Sequence, residues 1–417
     1  MISRRRPLIG APGHHHDPGG DAPRRITPLY AAGFVTAFGA HGVAANLGFD
    51  LHLGSGRFGS LLVLGVLLAI YDGAEVVLKP VFGALSDRLG PRPVLVGGLV
   101  AFAACSAAFV LATTPVGLGL ARLGQGAAAA AFSPAAATLV ARLAPTHRSG
   151  RAFGGYGAAK SLGYAAGPLL GSALVTLGGF TALFATLAVL AAAVAAWAAL
   201  TVPRLAPLSR TRQTLLDLAR RLGNRGFVAP TTGLAATTAA LAAGVGFLPV
   251  LGAHAGLSPI HTGAAVSLLA LASATVQPWA GRARDTTHLP DSIGMALGLL
   301  TAAAGLTVTA LTPSLPALLA GALLAGAGIG LATPLGFAAL AANTPPERLG
   351  QTMGCAEIGR ELGDAGGPLL VGAVATALTL PGGLLILAAA LTAGAAALAL
   401  TRLPATPRRS PSDRPVS

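Results

Sequence analysis

Apolar runs long enough to cross a lipid bilayer occupy almost the whole chain, and this feature limits its fold more than any other. A membrane-spanning helix needs about 20 predominantly apolar residues. Only 10% of the residues are charged, whereas soluble domains contain about 25%. The chain is therefore predicted to be an all-α membrane protein with twelve transmembrane helices, near 27–48, 60–84, 93–113, 116–142, 150–176, 179–201, 227–252, 261–281, 291–312, 315–341, 350–376 and 380–401.

The basic residues alternate between the connections of these helices. Of the 26 Arg, 23 lie in the two tails and in every second connection, and only Arg57 lies in an alternate connection. The positive-inside rule then places both termini in the cytoplasm, in a multi-pass protein of the cell membrane. A net charge of +14 would otherwise suggest nucleic-acid binding, but these Arg lie between apolar segments and not on a folded domain. No nucleic-acid partner is predicted.

The chain contains two copies of one six-helix unit. A shift of 200 residues superimposes Gly150 on Gly350 and Pro168 on Pro368, and a shift of 198 superimposes Asp87 on Asp285. Parallel repeats with a binding site between them are typical of secondary transporters. We therefore expect bundles at 27–201 and 227–402, joined by an Arg-rich cytoplasmic linker at 202–226. Polar segments at 1–26 and 403–417 are expected to be cytoplasmic tails, the first of them disordered.

Three motifs resemble those of the major facilitator superfamily, and in particular its twelve-helix drug:proton antiporters. The loop after the second helix carries Gly83, Asp87, Arg88, Gly90 and Arg92, and the fourth helix carries Arg122-Leu-Gly-Gln-Gly. The fifth helix carries a glycine motif that the eleventh repeats, consisting of Gly163, Gly167, Pro168 and Gly171 with Gly363, Gly367 and Pro368. The resemblance covers about residues 27–402. The second copy of the loop motif, ending at Asp285, is degraded because no Arg follows the Asp.

The resemblance implies a role for each motif. The loop would form a cytoplasmic latch, in which Asp87 accepts hydrogen bonds from helix N-terminal amides or pairs with a cation. The alternative is that its charges are ordinary positive-inside residues. The glycine motif would allow close packing at the interface between the two halves. Arg122 would take part in proton coupling, unless it only anchors the fourth helix.

Nine ionised side chains lie within predicted spans, where each costs about 2.5–3.5 kcal/mol on insertion scales. Five are acidic and four basic, and Glu75 precedes Lys79 by four residues, the favoured order for an ion pair. They therefore either form ion pairs that only fix helix packing or line a cavity that can take up a proton. The proton-coupling candidates are Asp72, Glu75, Arg122, Glu357, Glu361 and Asp364, and the cavity candidates are Lys79, Lys160, Arg360, His41, Asn46, Tyr156, Tyr164 and Gln277.

These features predict a proton-coupled exporter of small organic molecules that works by alternating access as a monomer in the lipid bilayer. One alternative is a proton-coupled uptake symporter for an anionic metabolite, held by Lys160 and Arg360. Another is a membrane receptor that binds a ligand without transporting it. The sequence contains no phosphate-binding loop and no metal-ligand cluster, so neither an enzyme nor a cofactor is predicted.

Overall fold

A computed structural model describes residues 22–52, 61–112, 114–205, 223–287, 290–312 and 314–401, most of which are α-helical. The predicted tails and linker lie largely outside the described residues. Helices before the linker are α1 (Ala22–His52), α2 (Leu61–Leu89), α3 (Pro91–Leu111), α4 (Pro115–Leu143) and the two arms of the segment Ser149–Thr201, which we call α5 (149–177) and α6 (180–201). Those after it are α7 (Arg225–His254), α8 (Pro259–Thr287), α9 (Asp291–Leu311), α10 (Leu315–Ala342), α11 (Leu349–Ala377) and α12 (Leu380–Leu400).

The break between α5 and α6 lies at Gly178 and Gly179. Gly179 has φ 66°, in the left-handed region that a side chain disfavours. With both arms counted, the described residues contain the twelve predicted helices, and most boundaries differ from prediction by only a few residues. The largest differences are at α8, which ends at Thr287, at α1, which begins at Ala22, and at α2, which ends at Leu89.

Eight helical segments among the described residues are long and apolar enough to cross a membrane, with α5 and α6 counted as one. The three remaining segments are α1, α2 and α11. The last two carry seven of the nine charges that the sequence places within spans. The weaker apolar character of α11 comes from its four charges at 357–364, all of which belong to the candidate site.

Local sequence determines where the helices start and bend. Thr114 and Thr379 cap α4 and α12 by accepting a hydrogen bond from a backbone amide in the first turn. Gly90, with φ 90°, makes the tight turn between α2 and α3. Proline lies inside helices at matching positions of the two halves, where it removes a backbone hydrogen bond and favours a bend; the pairs are Pro80 and Pro278, Pro134 and Pro334, and Pro168 and Pro368.

Each half has its own apolar core. One core is formed mainly by α1 to α6 and the other by α7 to α12. Two helix pairs connect the halves most extensively: α2 packs against α11, and α5 packs against α8. Because these pairs are related by the repeat, they present equivalent positions to the space between the halves. We refer to them below as the α2–α11 and the α5–α8 interfaces.

Candidate functional site

Six of the intramembrane charges form a single cluster at the α2–α11 interface and the adjoining face of α5. We call it the central charge cluster. Its three cations and three carboxylates neutralise one another, which limits the cost of burying them. The members are Glu75 and Lys79 on α2, Lys160 on α5, and Glu357, Arg360 and Glu361 on α11.

Lys79 connects α2 to α11. Its ammonium lies 2.5 Å from Glu361, 3.4 Å from Glu75 and 3.8 Å from Glu357. The side chain is 1% exposed, so these carboxylates replace its hydration shell. The pair between Glu75 and Lys79 is the one that helical spacing predicts, whereas the two contacts with α11 depend on how the helices meet.

Glu357 is the centre of the cluster on α11. Its carboxylate lies 3.1 Å from the ammonium of Lys160 and 3.1 Å from the guanidinium of Arg360. Glu357 is fully buried. The cations at equivalent repeat positions, Lys160 and Arg360, therefore meet on one carboxylate. The nearest partner of Arg360 is Glu357, three residues before it on the same helix, and not its sequence neighbour Glu361.

Two further carboxylates within the predicted spans do not belong to the central charge cluster. Asp72 is exposed, Asp364 is half-buried, and neither has an ion pair or a side-chain hydrogen bond within the described residues. Both line a cavity between the halves, together with members of the central charge cluster. The cavity therefore has a neutral cluster in one wall and two uncompensated negative charges.

His41 and Tyr164 form an aromatic contact in the same cavity. Their ring centroids are 4.4 Å apart in an edge-on arrangement, and Nδ1 of His41 is buried without a hydrogen-bond partner. Tyr156 is fully buried and lines a smaller neighbouring pocket. Asn46 was predicted to line the cavity, but this is wrong. Its amide donates to the carbonyl of Gly42 one turn earlier, and it lies outside the residues that line the cavity.

Arg122 lies behind the cavity, fully covered by α2 and α4. Its guanidinium stacks over the ring of Tyr71 at 4.2 Å and donates to the side-chain oxygen of Gln125, whose amide donates in turn to Ser106. No carboxylate within the described residues forms an ion pair with it. Arg122 is therefore held by a neutral hydrogen-bonded network and an aromatic ring, close to but outside the cavity lining.

The α5–α8 interface carries a neutral counterpart of the central charge cluster. Gln277, at the repeat position of Lys79, donates to the hydroxyls of Ser161 at 2.7 Å and Ser273 at 3.1 Å. These serines occupy the repeat positions of Glu361 and Glu75. Gly157 stands where α11 has Glu357, and a Cβ there would collide with the side-chain oxygen of Gln277. The sequence placed Gln277 in the cavity, but the role of the two serines was missed. Aligning the two repeats would have found them, because Ser161 aligns with Glu361 and Ser273 with Glu75.

At the predicted cytoplasmic end, Asp87 closes the α2–α11 interface. Its two carboxylate oxygens accept hydrogen bonds from the backbone amides of Gly350 at 2.8 Å and Gln351 at 2.9 Å, at the start of α11. This arrangement satisfies helix N-terminal amides and places a negative charge at the positive end of the helix dipole. Gly83 has no side chain because the carbonyl of Gly350 occupies the space next to it.

The arginines of the loop motif do not complete this contact. Arg92 donates to the backbone carbonyl of Ala199 on α6. Arg88 is exposed, and no hydrogen bond or ion pair to another described residue is seen for it. Among the charged residues of the motif that the structure describes, the aspartate alone therefore forms hydrogen bonds across the α2–α11 interface.

A second contact of the same kind closes the α5–α8 interface. Asp285 accepts from the amides of Gly150 and Arg151, both at 2.9 Å, at the start of α5. Arg284 supports it by contacting Asp291 at 2.6 Å and the hydroxyl of Ser149 at 2.8 Å. The sequence described this copy of the motif as degraded because it lacks the following Arg. Its aspartate nevertheless makes the equivalent pair of hydrogen bonds.

The glycine motif packs within each half and not between the halves, so that expectation was wrong. Gly163, Gly167 and Gly171 face α1 closely enough that any Cβ would meet its backbone or side chains, and Gly363 and Gly367 face the carbonyls of Ala235 and Ala239 on α7. Small residues allow helix backbones to approach each other. The motif therefore fixes α5 on α1 and α11 on α7.

Comparison with known proteins identifies the family. The family model for the Major Facilitator Superfamily matches residues 29–289 and, in a second alignment, residues 231–417. The chain belongs to the major facilitator superfamily. Two solved structures have a similar fold over most of the length of this chain. The human organic anion transporter MFSD10 has 20% identity and a TM-score of 0.73, covering 90% of this chain and 99% of that one. The E. coli fucose:proton symporter FucP has 16% identity and a TM-score of 0.74, covering 92% and 99%.

The sequence alignments with curated relatives cover a smaller part of the chain. The multidrug resistance protein MdtG of Escherichia fergusonii is 28% identical over 163 residues, which is 39% of this chain and 40% of that protein. MdtG of Citrobacter koseri is 28% identical over 196 residues, 46% of each chain. The alignments thus span less than half the length of these relatives. Membership of the superfamily, with eight apolar helical segments among the described residues, places the chain among multi-pass membrane proteins, in a family whose members are transporters and not enzymes.

Proposed function

We propose that the protein is a proton-coupled exporter of small organic molecules that works by alternating access. The observation that carries this proposal is the pair of uncompensated carboxylates, Asp72 and Asp364, in a cavity between the two halves. A carboxylate without a cationic partner can exchange a proton for a positively charged substrate group with no other rearrangement of charge. Like charge and partial burial both favour the protonated form of such groups. The named multidrug resistance relatives support export as the direction.

The two interfaces supply the conformational part of the proposal. Asp87 and Asp285 hold the predicted cytoplasmic end closed by four hydrogen bonds to helix N-termini. In the described residues α1 and α7 make no comparable contact with each other. We infer an outward-facing conformation in which the cavity is open to the side opposite the latches. Return to the inward-facing conformation requires both aspartates to release their amides.

The geometry weighs against the two alternative functions. Uptake of an anionic metabolite needs Lys160 and Arg360 to be available, but both lie against Glu357. A receptor without transport would not require matching latches on both interfaces. The proposed proton carriers are therefore Asp72 and Asp364. Glu361, which the sequence also suggested, is engaged with Lys79 at 2.5 Å.

The test is transport in proteoliposomes with a dye that reports proton flux. Tetraphenylphosphonium, benzamide and benzoate serve as cationic, neutral and anionic probes. We expect proton flux on addition of the cation in the native protein. Asp72→Asn and Asp364→Asn should each abolish transport driven by a pH gradient but preserve exchange of probe for probe, because exchange requires no net proton movement.

Glu347→Gln is the matched control, since it removes a carboxylate at the predicted cytoplasmic end, outside the cavity. Gradient-driven transport should survive in this variant. If both aspartate variants retain gradient-driven transport, the proton has been assigned to the wrong residues. If none of the probes produces proton flux in the native protein, export by proton exchange is contradicted for these three charge classes.

A further inference from the structure

Two cations in the cavity wall have the geometry of an anion site. Lys160 and Arg360 occupy equivalent repeat positions, one in each half, and both line the cavity and its smaller neighbouring pocket. Nε of Arg360 is buried and has no hydrogen-bond partner. The aromatic side chains of His41 and Tyr164 line the same cavity. A planar carboxylate attached to an aromatic ring has matching chemistry, because its oxygens accept from both cations and its ring packs on aromatic side chains.

Glu357 occupies the opposite side of this cation pair. It contacts both cations at 3.1 Å, yet it is fully buried and is not among the residues that line the cavity. The carboxylate therefore neutralises the two cations from behind and leaves the space in front of them free. In the repeat, the position of Glu357 is occupied by Gly157, so this counter-charge belongs to only one half.

The count of charges around the cavity shows that Lys160 and Arg360 depend on Glu357 for an ion-pair partner. The central charge cluster contains three cations and three carboxylates, and the cavity also contains Asp72 and Asp364. Within the cluster, Glu75 and Glu361 pair with Lys79. Glu357 is the only carboxylate within ion-pairing distance of Lys160 or Arg360 among the described residues. Without it, no carboxylate among the described residues would lie within ion-pairing distance of either cation.

We propose that Glu357 determines the charge selectivity of the cavity by masking a latent anion site formed by Lys160 and Arg360. This inference rests on the proposed function in taking the cavity as the place where substrate binds. With Glu357 present, its carboxylate neutralises Lys160 and Arg360 directly, so these cations do not bind an anion from the cavity. Without its charge, Lys160 and Arg360 bind a carboxylate, with the aromatic ring of the ligand in the cavity next to Tyr164 and His41.

The test measures ligand binding to purified protein in detergent, without a membrane or a gradient. The shift in Tm on addition of benzoate is compared with the shift on addition of benzamide, its neutral analogue. We expect no benzoate shift in the native protein. In Glu357→Gln, benzoate should raise Tm by several degrees, because ligand binding to the folded state stabilises it, and benzamide should have no effect.

Two further variants separate the local site from overall charge. Glu361→Gln removes one negative charge from the same cluster but from the partner of Lys79, so benzoate should not stabilise it. Lys160→Met with Glu357→Gln removes half of the anion site and should lose the benzoate shift. The proposal is overturned if benzoate has no effect on Glu357→Gln, or if it stabilises Glu361→Gln to the same extent.

Glu357→Gln can also fail to fold, because it leaves two buried cations without a partner. In that case the protein is solubilised and purified in benzoate or in benzamide, and the folded fraction is measured by size-exclusion chromatography. Recovery in benzoate alone supports the proposal, and equal loss in both contradicts it. Because this readout involves no transport, its failure is distinguishable from failure of the proton-exchange experiment in proteoliposomes.

Discussion

The α2–α11 and α5–α8 interfaces have the same backbone arrangement but opposite chemistry. Both are closed at one end by an aspartate on helix N-terminal amides, and both have glycines where the backbones approach most closely. Further into the membrane, Lys79 with two glutamates occupies one interface, and Gln277 with two serines occupies the other. In the repeat, Lys79 is equivalent to Gln277, and the two glutamates are equivalent to the two serines.

This difference indicates that helix packing at these positions does not require charged side chains. At the α5–α8 interface the amide of Gln277 donates to two serine hydroxyls and no charge occupies these positions, so a neutral polar contact is compatible with a packed helix pair. Charges at the same positions of the α2–α11 interface therefore need an explanation other than packing. We propose that α2 and α11 respond to protons and that α5 and α8 form the interface that does not.

The largest expected difference is between Lys79→Met and Gln277→Met, equivalent substitutions on the two interfaces. Lys79→Met leaves three carboxylates without their shared cation, and breaking a buried ion pair costs about 3–5 kcal/mol. Gln277→Met removes two hydrogen bonds to serine hydroxyls, which still lie 3.3 Å from each other, at a cost of about 1–3 kcal/mol. The measurement is Tm in detergent for both variants. Similar losses in Tm would contradict a special role for charge at the α2–α11 interface.

A smaller effect is expected at the two latches. Asparagine has only one carbonyl oxygen, so Asp87→Asn and Asp285→Asn each lose at least one charged hydrogen bond, worth about 1.5–3 kcal/mol. Both variants should insert normally and transport more slowly in proteoliposomes. Arg284 lies 3.6 Å from Asp285 and is itself held by Asp291 and Ser149, so we expect the loss to be smaller for Asp285→Asn.

The variant that combines Asp87→Asn with Asp285→Asn gives a further test, since it should transport more slowly than either single variant. Normal transport by Asp87→Asn would mean that the motif is a topology signal only. A larger loss for Asp285→Asn than for Asp87→Asn would reverse the proposed ranking of the two interfaces.

The smallest effect is expected for Ser273→Ala. This change removes one of two hydroxyl acceptors of Gln277 and should cost about 0.5–1.5 kcal/mol. Gradient-driven transport should be unchanged, because no charge is involved. Glu75→Gln, at the equivalent position of the other interface, should reduce gradient-driven transport since it alters the charges around Lys79. Equal transport by these two variants would show that both interfaces contribute in the same way.

The sequence alone determined the features that depend on local spacing and on internal comparison. Runs of apolar residues predicted the helices, the repeat predicted two matching halves, and three motifs indicated the family that the comparison later confirmed. The pair between Glu75 and Lys79 was predicted because residues four apart share one helix face. Hydrogen bonding of Asp87 to helix N-terminal amides was one of two predicted possibilities.

Only the tertiary structure decided which charges meet across helices. Lys79 and Glu361 are 282 residues apart, and nothing in their spacing specifies the contact. Helical periodicity places charges on a face, but the rotation and depth of the partner helix decide which of them come into contact. The same reason explains why Asn46 lies outside the cavity lining and why the glycine motifs pack on α1 and α7. It also explains why Asp285 keeps its hydrogen bonds to helix N-terminal amides in a motif that lacks the arginine.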